Sequence, residues 1–498
     1  MLRRLICTAI VAAILPLIAA EPPPLRFDVR LAAGFDADVR NGRVLVVLGS
    51  PGSREPRSTI GNTGMTAPVV LGADAHAPEN QVIAGLDGQS EIFPIESLSK
   101  LKPGKYSAQA VVHLNCDLNF PNAPGDLFGP AMTVDLNPNI GGVQWLEINA
   151  RVPDEALPAD TDRVKFVKFP SKLLSEFHGR PMFLRAGIIL PQGFDAEPNR
   201  KYPLRVHIGG YGTRFTAARG MAGRLPADPK FLMLVLDGAG PYGDAYQVNS
   251  ANNGPYGDAI TKELIPYIGQ KYRGIGDGNS RFTDGHSTGG WVSFALQVFY
   301  PDFFNGCWSF CPDPVDFRAY EVIDIYKDSN AYVNRHGFER PAMRQVNGDV
   351  IYTVRHECQI ENVLGLGNRW WLSGKDWCAW NATYGPRGDD GLPKPLWNPK
   401  TGDIDHSVVE HWKKYDLRLV LESNWKTLGP KLRGKLHIFS GDCDDYFLNN
   451  AVRMLDRFLK TADPPADATV TFGAYVGHGF HPMSEKQTLE AMAAAMKK

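Results

Sequence analysis

From Leu25 to about residue 150, apolar residues recur at every second position. Leu25, Phe27, Val29 and Leu31 do so, then Tyr106, Ala108, Ala110, Val112 and Leu114, then Met132, Val134 and Leu136. Successive side chains of a strand point to opposite faces, so this period marks strands with one face in a core. Val44 to Leu48 is apolar throughout, the pattern of a strand covered on both faces. Clusters such as Ser50-Pro51-Gly52-Ser53 and Pro121-Asn122-Ala123-Pro124-Gly125-Asp126 separate these runs, and such residues favour turns. No helical period stands out. The expectation is a β-sandwich of immunoglobulin-like type over residues 21–155, which buttresses the next domain or binds a polymer. Pro153 to Asp162, rich in Pro, Ala and Asp, reads as a linker.

At Val164 the pattern changes. Met182–Leu190, Leu204–Ile208 and Phe231–Leu236 read as strands, and Gly257–Tyr272 as a helix with Ile260, Leu264, Ile265 and Ile268 on one face. A strand ending at Arg281–Asp284 is followed by Trp291, Phe294, Ala295, Val298 and Phe299 at helical spacing, stopped by Pro301. Phe304–Phe310, Lys435–Phe439 and Thr469–Tyr475 are further strands. Alternation of this kind predicts an α/β domain over 160–498, with a mostly parallel sheet covered by helices on both faces. Ligands of such sheets bind at the carboxyl ends of the strands.

Candidate chemistry gathers at those ends. Gly285-His286-Ser287-Thr288-Gly289 is a G-x-S-x-G pattern between a strand and a helix, the arrangement that exposes a strained nucleophilic serine. His207-Ile208-Gly209-Gly210-Tyr211-Gly212 is a glycine-rich turn after an early strand. An amide from Gly210 or Tyr211, with that of Thr288, can form an oxyanion hole. Gly441-Asp442-Cys443-Asp444-Asp445 offers three carboxylates after a strand. Asp444 is favoured as the group that orients a histidine, with Asp442 and Asp445 as alternatives and a helix cap as the structural use of any of them. Gly477-His478-Gly479-Phe480-His481 supplies the base after the last strand, His478 first and His481 as the alternative. His286 is expected to be structural. The chain order Ser287, Asp444, His478 is that of α/β-hydrolases and differs from the chymotrypsin and subtilisin orders.

On these motifs, residues from about 164 to 498 resemble the putative esterase family of α/β-hydrolases. That family includes esterase D-like, feruloyl esterase-like and enterochelin esterase-like enzymes and mycolyltransferases. Leu190-Pro191-Gln192-Gly193-Phe194 with Tyr202-Pro203, Gly285-His286-Ser287-Thr288-Gly289-Gly290, Gly441-Asp442-Cys443-Asp444 and Gly477-His478-Gly479 carry the resemblance. It implies an α/β-hydrolase fold with Ser287 as nucleophile, His478 as base and Asp444 as acid. Two departures stand out. Thr288 replaces the methionine that often follows the serine, and serine and acid lie 157 positions apart.

The extra length is a lid-like insertion, roughly 312–430, holding Trp370, Trp371, Trp377, Trp380, Trp397, Trp412 and Trp425. Trp370, Trp371, Trp377 and Trp380 are candidates for a substrate platform, since indole faces stack on sugar rings or aromatic acyl groups. A small core of the insertion's own is an equal expectation.

Composition places the chain. Lys and Arg number 53 against 54 Asp and Glu, a formal net charge of -1. That near balance, without a basic stripe, argues against a nucleic-acid partner. Arg3 and Arg4 precede an apolar run from Leu5 to Ala20, a signal-peptide pattern over residues 1–20. The mature protein is expected to be secreted or periplasmic, with no stable membrane insertion. Six cysteines would remain: Cys116, Cys307, Cys311, Cys358, Cys378 and Cys443. An even count permits disulfides in an oxidising compartment. No spacing fits a structural zinc site, so no metal is expected, and none of this chemistry calls for a cofactor.

The expected function is that of a secreted serine carboxylic-ester hydrolase working through an acyl-enzyme, on a small-molecule or polysaccharide-linked ester. A peptidase or acyltransferase of the same fold, or a non-catalytic carbohydrate-binding or scaffold protein, is the alternative.

Overall fold

The computed structural model describes residues 23–79 and 81–496. The expected signal peptide and Cys7 lie outside them. Among the described residues no helix is long and apolar enough to cross a membrane.

The α/β region is built on eight strands: β1 Val164–Ser171, β2 Met182–Ile189, β3 Leu204–Ile208, β4 Leu232–Leu236, β5 Arg281–His286, β6 Cys307–Phe310, β7 Leu436–Gly441 and β8 Thr469–Gly473. Their spatial order is β1-β2-β4-β3-β5-β6-β7-β8. The β1–β2 and β2–β4 pairings are antiparallel and every later pairing is parallel. This is the α/β-hydrolase arrangement. Leu232 to Leu236 is buried at every position, as a parallel strand under helices on both faces must be. The helix Thr288–Phe299 follows β5 and is buried along almost its whole length, because β3, β5 and β6 and the helix Leu417–Leu432 all pack on it. The helix expected at Gly257–Tyr272 is present from Tyr256 to Lys271, with a π-helical turn over Ala259–Leu264.

Two boundaries differ from expectation. The β6 strand begins at Cys307 rather than Phe304. The insertion does not reach Pro430, which lies inside the helix Leu417–Leu432 that leads into β7. That helix is therefore the ordinary crossover of a parallel sheet, and the extra material stops near residue 416.

The N-terminal region is all strand, apart from single 3-10 turns. Leu25–Leu31 lies between Val82–Leu86 and Gly142–Ile148 in one sheet, and a second sheet is centred on Arg43–Gly49 and Gly104–His113. The apolar run at Val44 to Leu48 has a direct explanation. Val44, Val46 and Leu48 enter the core between the two sheets. Leu45 and Val47 face outward onto Ile360, Val363 and Leu364 of the insertion helix Val354–Leu364. The buried Arg43 guanidinium seals that junction, donating from Nε to the Val363 carbonyl at 2.9 Å and from Nη1 to Asp74 at 2.7 Å.

The insertion is packed rather than flap-like. Trp370, Trp377, Trp380, Trp397 and Trp412 are all buried, as is Trp425 in the helix that follows the insertion. Trp370 stacks on Trp397 with centroids 4.7 Å apart, and Trp412 meets Tyr320 edge-on at 5.5 Å. These side chains belong to the same continuous core as the sheet.

Candidate active site

Strand β5 delivers the chain into a sharp turn at Ser287, whose φ of 60° and ψ of -123° lie in a strained region. Such a conformation costs about 1–3 kcal/mol and persists only where its surroundings fix it. Here the Ser287 amide donates to the Phe310 carbonyl at 2.9 Å, and the Trp291 amide to the Ser287 carbonyl at 3.1 Å. The flanking glycines are steric necessities. A Cβ on Gly285 would stand 2.3 Å from the Gly289 oxygen, and one on Gly289 2.0 Å from the Ile208 oxygen. Beneath the turn, buried Arg205 on β3 holds Asp284 on β5 through two hydrogen bonds of 2.6 and 2.7 Å, locking the two strands in register.

The three aspartates after β7 divide their work. Asp444 is fully buried, and its Oδ2 lies 2.9 Å from His478 Nδ1. Its Oδ1 accepts from the Tyr446 and Leu448 amides at 2.9 and 3.3 Å, which fixes the carboxylate plane. Asp445 accepts from the His478 amide at 2.7 Å and Asp442 from the Tyr475 amide at 2.8 Å. Those two bind the histidine loop by its backbone, and Asp444 reaches the ring. Burial opposes charge on His478, but the hydrogen bond and charge of Asp444, with Asp313 and Asp445 nearby, outweigh it and hold the imidazole above its ordinary pKa. An imidazole so held accepts a proton readily.

His286 supports the same loop. Its Nε2 donates to the His478 carbonyl at 2.7 Å, and burial with the neighbouring His478 charge pushes its pKa down to about 4. It is neutral at ordinary pH. His481 is exposed, pairs with the Met483 carbonyl at 2.8 Å and stacks on Phe310. It does not line the cavity at Ser287.

The glycine-rich turn after β3 lies against the serine. A Cβ on Gly210 would be 3.8 Å from Ser287 Cβ. The turn is held by the Thr213 amide on the Gly210 carbonyl at 3.0 Å and the Gly212 amide on Asp244 at 2.9 Å. Gly210, Tyr211 and Thr288 all line one cavity with Ser287 and His478. The Tyr211 hydroxyl donates away from it, to the Gly374 carbonyl at 2.8 Å.

A further residue, Asp313, is one that the sequence reading missed. It is buried, three residues beyond the end of β6, and its Oδ1 is 3.5 Å from Ser287 Oγ, at the outer limit of a hydrogen bond. Its Oδ2 accepts from the Thr288 hydroxyl at 3.0 Å, from Trp380 Nε1 at 3.2 Å and from the Tyr246 hydroxyl. Burial raises its pKa to about 6 against the stabilising pull of those donors and of His478. The available signal was its position, a carboxylate at a strand end in Cys311-Pro312-Asp313-Pro314.

The cavity has a volume of about 450 Å³, within the usual range for small-molecule sites. The insertion roofs it, and Gly61 and Thr63 of the N-terminal region complete one side. Of the four candidate platform tryptophans, Trp377 and Trp380 line it. Trp370 and Trp371 do not, because Trp370 is spent on Trp397 and on Trp371 in the insertion core. The other carboxylates on the lining are Glu321, Glu357, Glu361 and Asp376.

Cys311, Asp444 and His478 offer ligand atoms within 4.8 Å of one another. Burial pushes the Cys311 thiol up to about 12, and metal binding needs the thiolate. All six described cysteines are free thiols.

The sequence model of a family described as putative esterase matches residues 181–453, more than half of the chain. No curated protein sequence matches it. Similar solved structures include a ferulic acid esterase at 14% identity, covering 67% of this chain and 98% of that one with a TM-score of 0.39. An S-formylglutathione hydrolase from Agrobacterium tumefaciens, at 12% identity, covers 68% and 98% with a TM-score of 0.38. An esterase from Pyrobaculum calidifontis, at 14% identity, covers 68% and 86% with a TM-score of 0.38.

Proposed function

The chain belongs to the putative esterase family, an esterase of the α/β-hydrolase fold, and from that premise we propose that it is a secreted serine carboxylic-ester hydrolase with Ser287, His478 and Asp444 as its triad. The observation that carries this reading is the strained Ser287 turn opening on the same cavity as the His478–Asp444 pair.

In this reading His478 takes the Ser287 hydroxyl proton as the oxygen attacks the ester carbonyl. The charge that develops on the carbonyl oxygen is met by the Thr288 amide and that of Gly210 or Tyr211. His478 returns the proton to the leaving alcohol, and an acyl-serine remains. Water, deprotonated by the same ring, attacks the acyl carbon, and the ring returns that proton to Ser287 Oγ as the acid is released. Asp444 keeps the ring oriented and stabilises its charged form. The β-rich region over residues 21–155 acts as a buttress for the insertion, which agrees with the Leu45 and Val47 contacts to Ile360 and Val363. Residues 1–20 are a cleaved signal. A carbohydrate-linked ester as substrate now rests on Trp377 and Trp380 alone.

The test is turnover of p-nitrophenyl acetate and butyrate by residues 21–498 beside Ser287→Ala. Turnover that disappears in the variant supports the reading. Equal turnover in the two proteins, both shown to be folded, would refute it.

A further inference from the structure

The cavity is lined by more carboxyl groups than the reaction uses. Five carboxylates line the cavity, and Lys375 is the one lysine or arginine among its lining residues. Two of the five are fully occupied. Asp313 takes the Thr288, Trp380 and Tyr246 donors. Glu361 accepts from the Ser373 hydroxyl at 2.7 Å and from the Trp377 and Cys378 amides at 2.9 and 3.1 Å.

The other three are not. Glu357 accepts from Trp377 Nε1 at 3.0 Å with one oxygen. Asp376 is 3.8 Å from Lys375 Nζ, which is a loose pairing. Glu321 is 3% exposed, and among the described residues its Oε2 is buried with no hydrogen-bond partner. A buried acceptor left unsatisfied costs about 1–3 kcal/mol, more when charged. Burial, then the charges of Glu357 and Asp376, raise Glu321 well above the usual carboxylate range. Burial and the Asp376 charge push Glu357 up to about 8. The three carboxylates stand close enough to oppose one another's ionisation, and the protein supplies one lysine against them.

Two features choose the missing partner. First, aromatic faces stand beside the acids: Tyr352, Trp377, Trp380 and Tyr446. Aromatic walls with carboxylates favour an organic cation, through ring quadrupoles and charge-assisted hydrogen bonds together. Second, among the described residues the only three ligand atoms found within 4.8 Å of one another are those of Cys311, Asp444 and His478. The oxygens of Glu321, Glu357 and Asp376 are thus spread more widely than the first sphere of a bare metal ion. Neutral hydroxyls, as on a sugar, would satisfy the Glu321 acceptor but bring no positive charge against which the three carboxyl groups can ionise together.

We propose that Glu321, Glu357 and Asp376 form a subsite for a cationic group of the substrate, an ammonium or guanidinium carried on the acyl or the alcohol part of the ester. The proposal rests on the serine-hydrolase reading of the same cavity and specifies its substrate class. The bound cation donates N–H bonds to the free carboxylate oxygens and lies against the indole and phenol faces, while the ester reaches down to Ser287.

Calorimetric titration of the full mature chain with benzamidine and with its neutral isostere benzamide tests the subsite without a reactive serine. The expected result is benzamidine binding at least about tenfold tighter, equal to about 1.4 kcal/mol, with benzamidine slowing fluorophosphonate labelling of Ser287. The preference should fall by most of that factor in Glu321→Gln. Asp376 is half-buried, so Asp376→Asn provides a second variant should Glu321→Gln fail to fold, and it too should lower the ratio. Benzamide binding as tightly as benzamidine, or a preference untouched in both folded variants, overturns the subsite. A cationic preference in protein whose Ser287 takes no label would instead count against the serine reading and leave the subsite standing.

Discussion

The floor and the roof of the cavity treat charge in opposite ways. On the floor, every aspartate after β7 has its partner: Asp444 the His478 ring, Asp445 the His478 amide and Asp442 the Tyr475 amide. On the roof, Glu321 is buried with a free oxygen, and Glu357 and Asp376 are only partly matched. The floor consists of strand ends, whose backbone positions are set by a sheet core, so it can hold reacting atoms within a fraction of an ångström. The roof is an insertion that can keep carboxyl groups without full partners, because its stability comes from elsewhere, from a tryptophan-rich core continuous with that of the sheet. In the proposed reading, chemistry and selection thus fall to separately stabilised parts of one pocket.

The largest effect should fall on the floor. Asp444→Asn is expected to lower kcat by about 10³–10⁴-fold by leaving the imidazole in the wrong tautomer. Asp442→Asn and Asp445→Asn, whose Oδ1 can still accept from the Tyr475 and His478 amides, should cost far less. Steady-state ester kinetics on the three variants would show this, and equal losses would erase the distinction among the aspartates. Next comes the roof's own core. Trp412→Ala should destabilise the protein by about 3–5 kcal/mol, whereas Trp371→Ala, half-buried and at the edge, should cost about 1 kcal/mol or less. Denaturant unfolding compares them.

Asp313 joins floor and roof, since it touches Ser287 and Thr288 below and Trp380 above. Asp313→Asn should lower kcat/KM by about ten- to a hundredfold. It should also move the pH profile in a defined direction. In the proposed mechanism His478 must be neutral to act as base, and its pKa is held above the ordinary value partly by the Asp313 charge. The acid limb of kcat/KM in the wild type therefore lies above about pH 6.5, and removing that charge shifts it to lower pH. A limb that stays in place would detach Asp313 from the base. The smallest effect is expected at His481, which is exposed and bonded to Met483. His481→Ala should stay within about twofold of wild type in kcat/KM, a barrier change under about 0.5 kcal/mol.

These contrasts mirror what is legible in the sequence. The sheet, the turn at Gly285–Gly289 and the ends of β7 and β8 each write themselves into a few consecutive residues, because strand period, glycine placement and chain order are local or ordered along the chain. The choice of Asp444 over its neighbours depends on which side chain faces His478, which a run of three acids does not state. The sequence assigns Thr288 a backbone role only. Its hydroxyl bonds Asp313, so the residue that departs from the family's common methionine and the unrecognised aspartate belong to one arrangement. The roof is the least legible part. Glu321, Glu357 and Asp376 come from three separate segments with no shared period, and their proximity is set by tertiary packing. The same holds for the β-region's docking on the insertion: Leu45 and Val47 announce a doubly covered strand, but not that Ile360 and Val363 cover it.

The most direct measurement is the rate and position of fluorophosphonate labelling, mapped by mass spectrometry, in the wild type, Asp444→Asn and Asp442→Asn. The account predicts a single label on Ser287, slowed by about 10³-fold or more in Asp444→Asn and near the wild-type rate in Asp442→Asn. A label on another residue, or labelling of Ser287 in Asp444→Asn at the wild-type rate, would contradict it.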